Sequence, residues 1–582
     1  MADNKYEMNN IPKEKFAFAS REGRLHDKKL ETKPVGYLKD AWIRFKKNKS
    51  SIVGAWIVIF IVLFAIIGPF CFNQDYIHSY EKDVDMRRYQ YLTPKLSFAE
   101  PGSGFWDGTK VVEISESQYK IYLAREQETG QKAIVKVIDT YTARGYGGAD
   151  IKMYKCRLDT YANIDVFTKQ FTYDEYCKLQ DYQLETGRQV ILPWVTYYDK
   201  NQQSTINSKV FFNNINVWYE CDEKGNPTFD QDGNLVNGYK KFKDLSNPST
   251  IKLHDAYYSI RLEKDPAYGK IGSNPVTAQN KEDPTIWKDN TDDVWSVDQR
   301  YAYANPYVST VGKEFETPAD KVAYATNPVN WSYTVRLNPY EYFVYKYGFE
   351  PHFTFGTNAN GWDIFTRLAQ GARFSLLFAV AVSAINLVIG AIYGAIEGYY
   401  GGTADLIMER VSDILAAIPS MVVTVLFNLH LSAKVGVVPA LLYSFIMTGW
   451  IGMASRTRMQ FYRFKNQEYV LAARTLGARD RRVMFKHIFP NSLGTIITGS
   501  VLVIPGVIYS ETSLTYLGII NLDSPTRSSV GAMLSAGQGM FTKFPHLVLF
   551  PAIFIGLLMV SFNLFGNGLR DAFNPSLRGV ED

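Results

Sequence analysis

The chain has 582 residues, of which 21% are charged, and a formal net charge of +5, values that a soluble protein can also show. Its mean hydropathy of −0.16 averages two populations, because uncharged stretches of membrane-spanning length stand beside a long polar segment. A wholly soluble chain is therefore excluded, and no nucleic-acid partner is expected.

Uncharged stretches predict an α-helical polytopic membrane protein with six transmembrane helices. The first, Ile52–Phe72, has the length of about 20 helical residues that a bilayer core requires. Five more follow: Phe374–Ile396, Val411–Leu431, Val435–Ser455, Asn491–Ser510 and Leu547–Leu569. The third span is uncharged only from Ile414 and contains Pro419, so a broken or re-entrant helix is the alternative there.

Basic residues predict the orientation of these spans. Lysines and arginines at positions 39, 44, 46, 47 and 49 precede the first span, so residues 1–51 are expected to be a cytoplasmic tail. No small-residue cleavage pattern follows that span, which favours a retained anchor over a signal peptide. Six crossings then place residues 73–355 outside, and residues 456–490 and 571–582 inside. We expect a multi-pass protein of the cell membrane with both termini in the cytoplasm.

The outer segment, residues 73–355, is polar and differs from the rest of the chain. Short runs rich in β-branched and aromatic residues alternate with turn sequences such as "EKGNP" and "DQDGN", which predicts an inserted extracellular domain of mixed α/β or β-rich structure. Cys156, Cys177 and Cys221 allow at most one disulfide among them, and no spacing of histidines or cysteines indicates a metal site. "DQDGN" fits a hairpin turn better than a calcium loop.

The membrane segments show no sign of an energy-coupling site or of enzymatic activity. The predicted spans contain only mildly polar groups, and the chain lacks a phosphate-binding loop, so any nucleotide hydrolysis would need a separate subunit. No catalytic, metal or cofactor residue is predicted. Four polar residues are candidates for lining a translocation path: Asn386, Asn428, Ser500 and Asn563.

The cytoplasmic segment 456–490 carries nine lysines and arginines and is predicted to form a helix–turn–helix elbow. Residues 467–476 favour a helix, Gly477 suits a left-handed cap, and Asp480 is the predicted N-cap of a second short helix that ends at Pro490. Small residues at Ala473 and Gly477 would let a partner approach closely. The residues expected at the bend are Arg479, Arg481 and Arg482. We interpret the elbow as a docking site, and an ordinary basic loop is the alternative.

Residues 471–490 resemble the coupling loop of the membrane subunits of bacterial ABC importers. In that loop, Glu-Ala-Ala is followed by three residues, Gly, nine residues and Ile-x-Leu-Pro. Four residues match by position: Ala472, Ala473, Gly477 and Pro490. Three depart from the pattern: Leu471, His487 and Phe489 replace Glu, Ile and Leu.

Three further segments are similar to OppC/DppC-type permease subunits of peptide importers: Gly356–Ala379, Tyr393–Met421 and Leu514–Ile519. In the first, Asn358 and Trp362 stand where Asp and Arg are usual. The resemblance covers about residues 36–72 and 356–582, so it says nothing about the role of the outer segment.

The resemblance implies the type I ABC importer permease fold and the import of oligopeptides or dipeptides. The implied partners are a second homologous permease that forms a heterodimer with this chain, two ATP-binding subunits, an extracellular lipid-anchored substrate-binding protein, the peptide and membrane lipid. A nickel or glutathione importer is the alternative within the family. A surface receptor or sensor that uses the outer domain is the alternative from another class.

Overall fold

The computed structural model describes residues 37–80, 83–144, 150–192, 194–199 and 332–573, together with short stretches between 204 and 330. The predictions about the "DQDGN" turn beyond its first two residues, about Cys221 and about the terminal tails before residue 37 and after residue 573 lie outside the described residues. Cys71, Cys156 and Cys177 are free thiols.

The described helices account for most of the chain outside the predicted outer segment. They are α1 (Tyr37–Lys47), α2 (Lys49–Ile67), α3 (Gln74–His78), α4 (Glu116–Thr129), α5 (Tyr173–Thr186), α6 (Pro339–Tyr347), α7 (Ile364–Tyr400), α8 (Gly402–Ala416), α9 (Ser420–Val435), α10 (Val437–Gly449), α11 (Ile451–Phe464), α12 (Glu468–Thr475), α13 (Asp480–Arg482), α14 (Phe489–Val501), α15 (Val503–Tyr516), α16 (Val530–Gln538) and α17 (His546–Phe573). Short 3-10 segments are Gly68–Phe70, Val84–Tyr89 and Pro328–Asn330, and Val483–Ile488 is a π-helix.

The described strands all lie in the predicted outer segment. They are β1 (Thr109–Ser115), β2 (Ile134–Arg144), β3 (Asp150–Asp159), β4 (Phe167–Phe171), β5 (Ile191–Leu192), β6 (Trp194–Asp199), β7 (Ser204–Thr205), β8 (Phe211–Phe212), β9 (Ile215–Asn216), β10 (Ile251–His254), β11 (Ala256–Ser259), β12 (Ala278–Gln279), β13 (Ile286–Lys288), β14 (Val294–Ser296) and β15 (Ser332–Leu337).

Among the described residues, five helical segments are long and apolar enough to cross a membrane. They are Lys49–Phe70, Ile364–Tyr400, Val437–Phe464, Asp480–Tyr516 and His546–Phe573. The region of the third predicted span is instead a pair of helices, α8 and α9, bent by 70° at a break that contains Pro419. The broken helix named as the alternative is thus the arrangement found, because proline cannot continue the backbone hydrogen bonds of α8. The chain is a helical polytopic membrane protein.

Small residues bring α7 into close contact with α11. Gly390, Gly394 and Gly398 lie four residues apart on one face of α7, and a Cβ atom on any of them would overlap the α11 side, for example the Arg458 carbonyl. Such a stripe permits close helix packing in a membrane, where burial of apolar surface does not drive association. The contact fixes the position of α11, which leads directly into the predicted elbow.

The outer region contains two units with the same order of strands and helices. In the first, β1, α4 and β2 follow one another, and β3 lies between β1 and β2, antiparallel to both. In the second, β4, α5 and β5 follow one another, and β15 pairs antiparallel with both strands. In chain order, residues 193–331 therefore stand where residues 145–149 stand between β2 and β3.

The helix caps show that these two units are related by a shift of 57 positions, from 115 to 172 and from 130 to 187. Ser115 and Thr172 both begin their helices with a capping box, and Gly130 and Gly187 both end them in the left-handed conformation. The strand register follows the same shift. Lys110 of β1 pairs with Leu158, and Phe167 of β4, which is 57 positions later, pairs with Leu337. This internal repeat was not predicted from the sequence.

The two ends of the predicted outer segment meet at the outer ends of α2 and α7. The Thr357 backbone N–H donates to the Leu92 carbonyl (3.0 Å), and the Leu92 N–H donates to Thr357 Oγ1 (2.9 Å). The Tyr76 hydroxyl donates to the Gly361 carbonyl, and Gly361 has a φ of +78° against the Met86 backbone, where no Cβ fits. The base of the outer region and the entry to α7 therefore share one buried core.

Asp363 caps α7 from within this core, and burial raises the pKa of its carboxyl to about 6 despite a hydrogen bond from the Thr366 N–H (2.7 Å). Because the native state then holds a proton that the unfolded chain has released, the stability of the native state falls as pH rises from about 4 to 6, by up to about 3 kcal/mol. We expect Asp363→Asn to remove this dependence. Melting temperatures of the solubilised chain at pH 5 and pH 7.5 test it.

The control for this prediction is Asp413→Asn, which changes an exposed carboxylate that pairs with Arg410 on the surface of α8. This variant is expected to keep the wild-type difference in melting temperature between the two pH values. Parallel melting behaviour of Asp363→Asn and wild type would contradict the prediction.

Candidate functional site

The segment predicted to be an elbow contains a short helix and a sharp turn. Helix α12 ends at Thr475, and Gly477 follows with a φ of +79°, the left-handed conformation that glycine adopts without steric cost. The Gly477 N–H donates to the Arg474 carbonyl (2.9 Å), and the Ala478 N–H donates to the Ala473 carbonyl (3.0 Å). The predicted left-handed cap at Gly477 is therefore present.

The second half of the elbow differs from the prediction. Arg479, with an extended backbone, precedes the helix that begins at Asp480, so Asp480 is its first residue and not its N-cap. The Asp480 carboxylate instead accepts a hydrogen bond from the Tyr399 hydroxyl (2.6 Å). The tertiary contact with α7 thus uses the side chain that local capping would have used.

The helix also does not end at Pro490. The π-helix Val483–Ile488 joins α13 to α14, and Pro490 lies in the first turn of α14, where a missing N–H costs little. Helical structure therefore runs through the proline, and Asp480–Tyr516 forms one apolar segment of 37 residues. The elbow is joined to a membrane helix without an intervening loop.

The underside of the elbow is packed on the ends of α7 and α11. Val470, Val483 and Ile488 are fully buried and contact Tyr399 and Phe461. The ring of Tyr399 also lies 5.1 Å from the Arg474 guanidinium. These contacts make the elbow a rigid part of the helix bundle, so a force on it is transmitted to both helices.

The opposite face of the elbow is exposed, and this face carries most of the predicted docking residues. Leu476 is 88% exposed, and a Cβ atom on Gly477 would meet no atom within 4 Å. Ala473 is half-buried, and the remaining predicted residues are exposed: Leu471, Ala472, Arg479, Asp480, Arg481, Arg482 and Pro490. An exposed apolar side chain beside a positive cluster is typical of a surface that binds another protein.

An ion-pair cluster centred on Arg458 of α11 lies close to the ends of α7 and α11, on which the elbow packs. Its guanidinium contacts both carboxylate oxygens of Asp405 (2.6 and 2.8 Å) and pairs with Glu409 (2.8 Å) and with the buried Glu397 (3.6 Å). Asp405 also accepts a hydrogen bond from the Tyr462 hydroxyl (2.5 Å). The cluster connects α7, α8 and α11, and none of its members was predicted to be a functional residue.

A cavity of about 540 Å³ lies between α7, α9, α10 and α15. Its lining is mostly apolar with scattered hydroxyl groups, and it includes Asn386, one of the four predicted path residues. Ser500 is not among the lining residues, and its hydroxyl is hydrogen-bonded to that of Ser383 (2.9 Å). Asn428 donates to the Ile519 carbonyl (3.0 Å), and Asn563 is exposed on α17, away from this cavity.

A further buried carboxyl group, besides that of Glu397, was not predicted from the sequence. Glu511 lies in α15, one residue after the predicted end of its span at Ser510, and it is completely buried. It accepts hydrogen bonds from Ser375 (2.9 Å) and Thr515 (3.2 Å). The predicted span ended one residue before this acid, whereas the helical segment continues through it to Tyr516. In the part of the chain that is described, no group of three metal-binding side chains occurs.

Comparison with known protein families gives two matches along the chain. Residues 386–579 match the binding-protein-dependent transport system inner membrane component, and residues 36–94 match the N-terminal TM domain of oligopeptide transport permease C. The first match includes the elbow and all residues that line the cavity except Val382. The second continues past Phe72 to residue 94, into the segment that pairs with the entry to α7.

Curated relatives match about two fifths of the chain. The oligopeptide transport system permease protein OppC of Bacillus subtilis is 44% identical over 228 residues, 38% of this chain and 72% of the relative. The dipeptide transport system permease protein DppC of the same organism is 39% identical over 225 residues, 38% of this chain and 69% of the relative. OppC of Haemophilus influenzae is 40% identical over 230 residues, 39% of this chain and 71% of the relative.

Proposed function

Because the chain belongs to the family of binding-protein-dependent inner membrane components, in its oligopeptide and dipeptide permease branch, we propose that it carries peptides across the cell membrane. Members of this family are transport subunits and not enzymes. The relatives are named for oligopeptide or dipeptide transport, which favours peptides over nickel or glutathione and a transporter over a receptor.

One observation carries the proposed mechanism: the segment that begins in the elbow also lines the cavity. Asp480–Tyr516 starts on the exposed docking face, and its residues Val503, Gly506 and Ser513 form part of the cavity wall. Two separate ATP-binding subunits would engage the docking face, and their closure on ATP binding would move this segment. The movement would open the cavity to one side of the membrane at a time.

The remaining partners follow from the same reasoning. The cavity has an open side, which a second, homologous permease would close to form the path. Peptides vary in side chain but share a backbone, and a lining of apolar groups with hydroxyls suits a ligand of this kind. A lipid-anchored binding protein would deliver the peptide from outside, where the outer region lies if both termini are cytoplasmic. The inserted part of that region begins after residue 94 in this proposal.

Narrowing the cavity should stop transport without unfolding the chain. Gly506 lines the cavity, and a Cβ atom there meets nothing within 4 Å, so we expect Gly506→Phe to direct its ring into the cavity. We expect uptake of a labelled peptide by cells expressing the whole importer to fall at least tenfold, because the ring blocks the path. Membrane insertion and association with the ATP-binding subunits should be unchanged.

The matched control is Gly556→Phe on α17, where a Cβ atom also meets nothing within 4 Å and the position is not part of the cavity. It is expected to keep wild-type uptake. Equal uptake by the two variants would count against this cavity as the path.

A further inference from the structure

A second cavity, of about 560 Å³, lies at the base of the outer region and away from the site described above. Its walls come from Val84–Leu92, from Lys110 on β1, from the turn Thr160–Asp165 that follows β3, and from Phe544 just before α17. A volume of this size is typical of sites for small organic ligands. Its position beside the start of α17 places it at the outer end of the membrane helices.

Lys110 is a half-buried cation of this cavity that has no carboxylate partner among the described residues. Its side chain is half-buried, and its ammonium lies 4.8 Å from the centre of the Phe544 ring. No carboxylate among the described residues forms an ion pair with it, and burial lowers the pKa of the amine. A desolvated ammonium without a counterion is costly, so an anion bound beside it would be stabilised.

The other charged groups on the wall leave the cavity positive. Asp85 is neutralised by Lys169 and Arg88, and Asp165 pairs with Arg125 (2.6 Å). Arg87 also lines the cavity and forms no ion pair with any described residue. Two cations, Lys110 and Arg87, are therefore uncompensated.

The remaining lining groups suit an organic ligand better than a bare inorganic anion. Tyr91 and Phe544 stack with ring centres 4.6 Å apart, and Tyr91 is held at a φ of +58°, an unfavourable backbone conformation for this residue. Asn163 lines the cavity, and its buried Oδ1 has no hydrogen-bond partner within the described part of the chain. A peptide offers an N–H, an apolar body and a carboxylate together.

We propose that this cavity binds the terminal carboxylate of a short peptide through Lys110 and Arg87, with Asn163 accepting a peptide N–H and Tyr91 and Phe544 contacting the apolar part. The peptide as ligand rests on the proposed function, whereas the carboxylate chemistry rests on the cavity. Lys110 and Asn163 lie between the two segments that match the permease families, whereas Arg87, Tyr91 and Phe544 lie within those segments. The site would hold a peptide at the outer surface before or after delivery to the path.

The test is calorimetric titration of the purified full chain in detergent with tri-alanine and with its C-terminal amide. We expect the free acid to bind at least tenfold more tightly than the amide, because only the acid carries the carboxylate. Lys110→Gln should weaken binding of the acid at least tenfold, and Lys110→Arg should retain it. The control is Lys136→Gln, an exposed lysine on β2 of the same sheet, which should bind as wild type does.

A second variant keeps the test decisive if Lys110→Gln fails to fold. Tyr91→Gly relieves the positive φ, so it should fold at least as well as wild type and still bind the acid more weakly. Absence of tri-alanine binding, equal binding of acid and amide, or unchanged binding by both variants would overturn the proposal.

Two further arms separate the sources of anionic ligand. Tighter binding of inorganic phosphate than of tri-alanine would also overturn the peptide assignment. So would a chain that binds phosphatidylglycerol added as vesicles, but neither tri-alanine nor phosphatidylcholine vesicles. None of these titrations needs the ATP-binding subunits. If the isolated chain does not bind tri-alanine but the assembled importer still takes up peptide normally, the proposed function is therefore unaffected.

Discussion

Replacement of Gly477 by leucine is expected to reduce ATP-driven peptide uptake at least tenfold while the chain still inserts into the membrane. The left-handed backbone at Gly477 disfavours any residue with a Cβ by about 1 to 2 kcal/mol, a cost that a polytopic bundle tolerates. The Cβ of the leucine would meet no atom of this chain within 4 Å, so the new side chain starts on the exposed docking face. We therefore expect the substitution to weaken the association of the chain with the ATP-binding subunits. Co-purification of those subunits with the chain measures this association.

The control must carry the same backbone penalty at a site without a partner. Gly130 is also a left-handed helix cap, with a φ of +71° and no atom within 4 Å of a Cβ, and it lies in the outer region at the end of α4. Gly130→Leu is expected to keep uptake near the wild-type level. If Gly477→Leu retains full uptake and normal association with the ATP-binding subunits, the elbow is not the docking site.

Replacement of Arg458 by methionine is expected to lower the free energy of unfolding by about 3 to 5 kcal/mol, the range for breaking a buried ion pair by removing one partner. The side chain of Arg458 is 22% exposed and serves three carboxylates, of which that of Glu397 is buried beneath it. Methionine retains the packing of the side chain but leaves these acids without their common counterion. Unfolding of the solubilised chain, followed by the loss of helical signal, measures the effect.

The matched control for this variant is Arg410→Met on α8. Arg410 pairs with Asp413 (3.0 Å), but both side chains are more than half exposed, and such surface pairs contribute about 0.2 to 1 kcal/mol. Similar losses for the two variants would contradict the role of Arg458 as a buried centre. Because α11 leads into the elbow, we also expect Arg458→Met, and not Arg410→Met, to uncouple ATP hydrolysis from uptake in complexes that still assemble.

Local features of the elbow were accessible from sequence, whereas its contacts were not. Gly477 could be assigned because a left-handed turn after a helix favours glycine whatever surrounds it. Asp480 was assigned to a cap on the same local reasoning, but the Tyr399 hydroxyl of α7, distant in sequence, takes its carboxylate. Pro490 was read as a helix end, yet the π-helix before it places the proline in a first turn.

The path residues show the same division. Asn386, Asn428, Ser500 and Asn563 are all polar residues in predicted spans, and nothing in the sequence separates them. Packing does so: Asn386 faces the cavity, Ser500 is paired with Ser383, and Asn563 is on another exposed surface. Glu511 was overlooked because it falls one residue beyond the uncharged run, although α15 continues through it.

The sequence by itself determined the class of this protein, the approximate positions of its membrane helices and the elbow between two of them. Membrane crossing depends on some twenty consecutive residues without charge, a property of composition that no distant contact alters. Tertiary structure alone decided which polar groups face a cavity, which carboxylates share Arg458 and how the two outer units pair their strands. Those outcomes depend on residues far apart in the chain being brought within hydrogen-bond distance, and each such contact competes with the local preference that a sequence displays.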